Sequence, residues 1–179
     1  MRIIAGSCRG KKLFTPTDNR VRPTADRARE AVFSILISKL AAPLSSYRFM
    51  DIFSGTGAFG LEACSRGAKH ITFVDINLNL TKKNVAACGF KNVDYINKDA
   101  RLLPHAREKA DIIFMDAPYN LGLSTPVLEA LIKQNWLKED SLIITETAND
   151  EELILPKELE LIDERIYGAA RFSFLVLKA

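Results

Sequence analysis

The run Asp51-Ile52-Phe53-Ser54-Gly55-Thr56-Gly57-Ala58-Phe59-Gly60 constrains the fold of this chain more than any other segment. Gly55, Gly57 and Gly60 spell G-x-G-x-x-G, with a strand-like run before them (Arg48 to Phe53) and a helix-like one after (Ala58 to Ser65). Glycines at that spacing permit a tight turn and let the backbone approach a ligand closely. The strand-loop-helix context is that of a Rossmann-type cofactor loop, which Phe53 and Ser54 complete. The loop alone also suits a dinucleotide. Asp51 argues otherwise, because a carboxylate ahead of the first glycine repels a pyrophosphate but pairs with the ammonium of an amino-acid cofactor. S-adenosylmethionine carries that ammonium and no phosphate.

Strand-like and helix-like runs alternate on either side of this loop. A helix is predicted from about Thr24 to Leu40, capped by Thr24 or Asp26, with Ala28, Val32, Ile35 and Leu36 on one face. Strands are predicted at Arg48–Phe53, Lys69–Val74, Val93–Lys98, Ala110–Met115 and Ser141–Glu146. Helices are predicted from Ala58, over Leu78–Cys88, near Leu102–Arg107 and over Thr125–Gln134. Such alternation makes a parallel sheet with helices on both faces. The tail breaks the rhythm: Leu159–Tyr167 and Arg171–Leu177, joined by Gly168-Ala169-Ala170, read as an antiparallel hairpin.

Acids fall at the ends of four predicted strands, the edge where open α/β sheets bind ligands. Asp51 ends the first. Asp75, followed by Ile76, lies about 20 residues past the loop, where an acid holds ribose hydroxyls. Asp99, followed by Ala100, is placed to accept from an adenine amino group. Singly, each also reads as a solvated cap of the helix that follows. Asp116, expected to touch the cofactor as well as the substrate, opens Asp116-Ala117-Pro118-Tyr119. There a carboxylate accepts one N–H of a planar amine, a carbonyl at Ala117 or Pro118 accepts the second, and Tyr119 stacks on the ring. Asp-x-Pro also marks an ordinary turn after a strand.

These residues, with Arg2-Ile3-Ile4-Ala5-Gly6, Arg9-Gly10-Lys11-Lys12-Leu13 and the stretch Arg22-Pro23-Thr24-Ala25-Asp26-Arg27-Ala28-Arg29-Glu30-Ala31-Val32-Phe33, resemble the RsmD family of class I S-adenosylmethionine-dependent methyltransferases. The resemblance covers essentially the whole length. It implies a Rossmann-like fold whose seven-stranded, mostly parallel sheet ends in an antiparallel C-terminal hairpin, preceded by a small basic N-terminal hairpin and helix. It implies methylation of a guanine exocyclic N2 in 16S ribosomal RNA, at guanine 966, on the small subunit or its assembly intermediate. The family usually has proline where this chain has Ala117, which leaves the loop freer.

Other functions compatible with the residues are methylation of an adenine N6 or another planar amine, a nucleotide-dependent oxidoreductase, and a non-catalytic RNA-binding assembly factor. The chain has no spare length for a DNA-recognition region, and no DNA partner is expected. A length of 179 residues suits one domain, with residues 1–23 as an RNA-binding arm and 24–179 as the catalytic core. Three scattered cysteines without C-x-x-C argue against a disulfide framework and a zinc site. The start lacks a signal peptide's apolar core, and no apolar run approaches a membrane span. A monomeric cytoplasmic protein without metal is expected.

Charge is unevenly spread. Residues 1–30 hold eight basic side chains against three acidic ones, while the whole chain is only +3. A basic patch confined to one end is the footprint of a polyanion, here RNA. Arg9, Lys11, Lys12, Arg22, Arg27 and Arg29 are the predicted contacts, with Arg22, Arg27 and Arg29 open between contacting phosphate and bracing the fold.

Overall fold

Period-two alternation along the central strands sorts the interior into two layers. In the first strand, Phe49 faces one apolar cluster while Met50 and Ile52 face the other. The computed structural model describes residues 1–16 and 23–178, the side chains of 23–25 excepted. Helix α1 (Pro23–Lys39) is followed by β1 (Arg48–Ile52), α2 (Ala58–Ser65), β2 (His70–Val74), α3 (Asn79–Cys88) and β3 (Val93–Ile96). Then come β4 (Ala110–Asp116), α4 (Ser124–Lys133), β5 (Leu137–Ala148), β6 (Leu159–Tyr167) and β7 (Ala170–Leu177). Helices α1, α2 and α3 pack on one face through Val32, Phe33, Leu36, Leu61 and Val85. Helix α4 covers the other with Val127, Leu128 and Leu131.

The seven strands lie in the order β3-β2-β1-β4-β5-β7-β6. β1 through β5 pair in parallel, and β7 pairs antiparallel with both β5 and β6. Strand order reverses between β1 and β4, so a crevice opens outside their carboxyl ends. Asp51 and Asp116 come from those two strands. The seven-stranded α/β architecture is the expected one.

Three local expectations fail. Asp26 and Thr24 lie within α1 rather than capping it, since the helix starts at Pro23. The helix expected near Leu102–Arg107 is a 3₁₀ turn at Ala100–Leu102. Pro104 drives Leu103 to an extended ψ of 137° and stops it there. β5 begins earlier than expected, because Leu137 already pairs with Ala110 ahead of a register shift.

The N-terminal hairpin is present, with Arg2 and Lys12 bridged and the Ile3 N–H 3.0 Å from the Lys11 carbonyl. It is fastened to α2. The buried Glu62 carboxylate accepts from the Ile4 and Ala5 N–H groups, and Ser65 from those of Ser7 and Cys8. Gly6 has φ +81° and so close an approach that a Cβ there would lie 1.8 Å from the Ser65 carbonyl oxygen. Among the described residues no helix is long and apolar enough to cross a membrane.

Candidate active site

The crevice beyond β1 and β4 is a cavity of about 820 Å³. At its base the chain leaves β1 through Phe53, whose φ of 59° is rare for a residue with a Cβ. The Gly57 N–H closes the turn onto the Ser54 carbonyl at 2.6 Å. Thr81 steadies the loop from α3, donating to the Gly55 carbonyl and sitting 3.2 Å from the Ser54 hydroxyl. Gly60 does not line the cavity but lets α2 lie on the sheet: a Cβ there would meet the Phe73 ring at 2.4 Å.

Asp51 is 2 % exposed, and one of its oxygens accepts from the Gly60 N–H at 2.9 Å. Burial pushes its pKa up to about 8, with the Asp75 carboxylate adding to the rise and Gly60 and Arg29 opposing it. A buried carboxylate on a cavity wall is stabilised in its charged form by a cation placed beside it. The shift has a consequence for stability. Between the ordinary value of 3.8 and about 8, the folded state keeps a proton that the unfolded state has lost, so Asp51 destabilises the fold increasingly as pH rises. Asp51→Asn is therefore expected to melt at least about 5 °C above wild type at pH 9 without ligand. The gap should shrink towards pH 4, and thermal unfolding across that range checks it; a gap independent of pH would refute the assignment.

Asp75 accepts from the Gly55 N–H at 2.8 Å and the Asn77 N–H at 2.9 Å, which fixes its carboxylate and leaves lone pairs for hydroxyls. Ile76 lines the same wall and is 76 % exposed, an apolar face offered to a planar ring. Phe59 and Phe114 stack with centroids 3.7 Å apart beneath the cavity. Asp99 and Ala100 lie outside the lining. Asp99 instead caps the 3₁₀ turn, accepting from the Arg101 N–H and guanidinium, which hold its pKa down at about 2. The capping alternative applies there.

Asp116 and Tyr119 line the cavity, whereas Ala117 is buried under the loop and Pro118 is exposed outside the lining. Asp116 opens onto the cavity. Enclosure by protein, then the Glu146 and Asp51 carboxylates, hold its pKa well above the usual range. Glu146 escaped the sequence reading. It stands opposite Asp116 in the parallel register of β4 and β5, and its Oε1 accepts from the Tyr119 hydroxyl at 2.7 Å. Burial raises its pKa, against the Tyr119 hydrogen bond. The rule that found the other acids would have found it, since it too lies near the carboxyl end of a parallel strand. Glu151 adds a second tether, accepting from the Asn120 N–H at 3.0 Å. These bonds restrain the loop that Ala117 leaves without its proline.

The basic residues do not form one surface. Of the two roles open to Arg29, its burial fits bracing the fold: it donates to the Arg2 carbonyl and to Asp26 and approaches Glu62 at 3.9 Å. Its buried Nε has no hydrogen-bond partner among the described residues, and the side chain lines the main cavity. Lys11 donates to the Ala87 carbonyl near the end of α3. Arg9, Lys12 and Arg27 are exposed, and Arg22 lies outside the described residues.

The cavity fits a zwitterionic nucleoside cofactor. Asp51 and Arg29 match an ammonium and a carboxylate, Asp75 matches ribose hydroxyls, and Ile76 offers a ring face. The family described as conserved hypothetical protein 95 matches residues 1–176. Ribosomal RNA small subunit methyltransferase D of Haemophilus influenzae is 33% identical over 96% of this chain and 91% of its own. The protein of that name in Escherichia coli K12 is 32% identical over 96% and 87%. Among solved structures, the candidate methyltransferase yhhF of Escherichia coli superposes with a TM-score of 0.83, at 30% identity over 100% of this chain and 98% of that one. With a matching family model over nearly its whole length and relatives above 30% identity, this chain belongs to the conserved hypothetical protein 95 family, that of ribosomal RNA small subunit methyltransferase D.

Proposed function

We propose that this protein methylates the exocyclic N2 of a guanine in small-subunit ribosomal RNA. S-adenosylmethionine is the cofactor. The observation that carries the reading is one cavity lined both by the acids of a cofactor loop, Asp51 and Asp75, and by an amine-gripping pair, Asp116 and Tyr119. The names of the relatives support ribosomal RNA as the substrate. The choice of guanine N2, and of position 966, rests on the family resemblance.

When bound, S-adenosylmethionine supplies an electrophilic sulfonium methyl group. Asp51 and Arg29 would hold its amino-acid end, Asp75 its ribose and Ile76 its adenine face. The guanine amine is a poor nucleophile, because its lone pair is delocalised into the ring. An N–H donated to Asp116 favours rehybridisation and aims the lone pair; the carbonyls of Ala117 and Pro118, expected as the second acceptor, belong to residues outside the cavity lining. Asp116 then takes the proton that the amine must lose. Tyr119 stacks on the base, returning about 1–3 kcal/mol towards the cost of unstacking it from the RNA. Positioning two bound partners supplies most of the rate.

The test is transfer of labelled methyl from S-adenosylmethionine to unmethylated small subunits and to the free RNA, with nucleoside analysis. N2-methylguanosine is the expected product. N6-methyladenosine would redirect the same site to another amine, and no label in RNA would overturn the reading.

A further inference from the structure

A second cleft, of about 690 Å³, opens on the other side of α1 and the N-terminal hairpin. Its walls carry Arg2, Arg9, Arg27 and Arg66 against Asp26 and Glu30. Arg66 is committed to Glu62, at 2.7 Å, and to the Phe33 ring, while Asp26 is engaged by Arg29. Arg2, Arg9 and Arg27 are exposed and have no carboxylate partner among the described residues. Three guanidiniums around one concavity, unpaired with carboxylates among the described residues, suit successive phosphate groups.

The two cavities share their dividing wall. Helix α1 turns Ala28, Arg29 and Val32 to the main cavity and Arg27, Glu30 and Ser34 to the cleft. The hairpin does the same, with Met1 on one side and Arg2 on the other. We infer that this cleft is the track for the RNA backbone, where Arg2, Arg9 and Arg27 hold the phosphates flanking the nucleotide whose base enters the main cavity. The inference rests on the proposed RNA substrate and narrows its binding surface. It leaves out Lys11 and Lys12, which lie outside the cleft although they belong to the same basic stretch of sequence. Contacts with phosphate grip without reading sequence, so base choice stays with the main cavity.

The experiment compares wild type, the triple variant Arg2→Gln/Arg9→Gln/Arg27→Gln and the double variant Lys11→Gln/Lys12→Gln. The dissociation constant for unmethylated small-subunit RNA is measured against salt concentration without cofactor, and turnover at saturating RNA separately. The triple variant should bind at least about 10-fold more weakly, and its log–log salt slope should flatten by about 2, the counterion release of three single-strand phosphate contacts. Its turnover at saturating RNA and its affinity for S-adenosylmethionine should stay within about twofold of wild type. The double variant should change the slope by less than about 1. Should the triple variant melt early, Arg9→Gln and Arg27→Gln singly carry the same test, each flattening the slope by about 0.7. A wild-type slope in the arginine variants, or a larger loss in the lysine variant, overturns the cleft. RNA binding that depends on the arginines without any methyl transfer leaves the cleft standing and removes the proposed reaction. Failure of wild type to bind RNA at all removes both.

Discussion

Asp116→Ala is expected to lower turnover by about 10³-fold while leaving the dissociation constant for S-adenosylmethionine within about threefold of wild type. The split follows from position. Asp116 ends β4 on the cavity wall with Tyr119 and Glu146, whereas the cofactor loop is held by Gly55, Asp75 and Thr81 without its help. Loss of the carboxylate removes the acceptor of one amine proton and the base that receives it. Asp116→Asn keeps the shape and one acceptor oxygen but cannot take the proton, so it should remain at least about 10²-fold below wild type. The pH dependence has a definite sign. Asp116 opens onto the cavity, but enclosure by the surrounding cavity wall and the neighbouring carboxylates hold its proton beyond the usual carboxylate range. Wild-type turnover therefore rises with pH where an ordinary carboxylate would already have levelled off. Single-turnover assays and a cofactor titration decide the matter. Turnover near wild type in the alanine variant, or loss of cofactor binding in step with turnover, would remove Asp116 from the chemistry.

What the sequence made legible was whatever local pattern dictates. The glycine loop, the strand before it and the helix after it are fixed by residues adjacent in the chain. The apolar face of α1 survives into one core layer, and the continuous apolar run Ile112-Ile113-Phe114-Met115 of β4 divides between both. What escaped depends on partners far away in sequence. Arg27 and Arg29 are equally basic and two positions apart, yet one faces the cleft and the other is buried against Asp26 and the Arg2 carbonyl. Helix periodicity turns the two to opposite sides of α1, and the docking of the hairpin on α2 through Glu62, across a span of 58 residues from Ile4, covers the Arg29 side. Asp99 matched the pattern of the other strand-end acids, but Arg101 satisfies it locally. Pro104 was a legible stop that the helical reading of Leu102–Arg107 overrode. Glu146 becomes meaningful only once β4 and β5 pair in register, because nothing in the stretch Ile143-Ile144-Thr145-Glu146 names its neighbour.

That neighbour gives the second large effect. Glu146 holds the Tyr119 hydroxyl at 2.7 Å and stands beside Asp116, so its removal should disturb both the stacking ring and the proton acceptor. Glu146→Ala is expected to lower kcat by about 30-fold and to raise KM for RNA several-fold. The loss of one hydrogen bond to a charged acceptor, about 1.5–3 kcal/mol, accounts for most of this. Glu146→Gln keeps an acceptor for the tyrosine and should restore kcat to within about fivefold. Its signature is a pH shift. The Glu146 charge is one of the groups that hold the Asp116 proton in place, so the neutral amide lets Asp116 ionise more readily and moves the acid limb of kcat to lower pH. A residue that merely supports the loop would give the same limb in wild type and the glutamine variant. Equal damage from alanine and glutamine, with the limb unmoved, would assign Glu146 to folding. Rescue with a displaced limb would place it as the group that sets both the angle of Tyr119 and the basicity of Asp116.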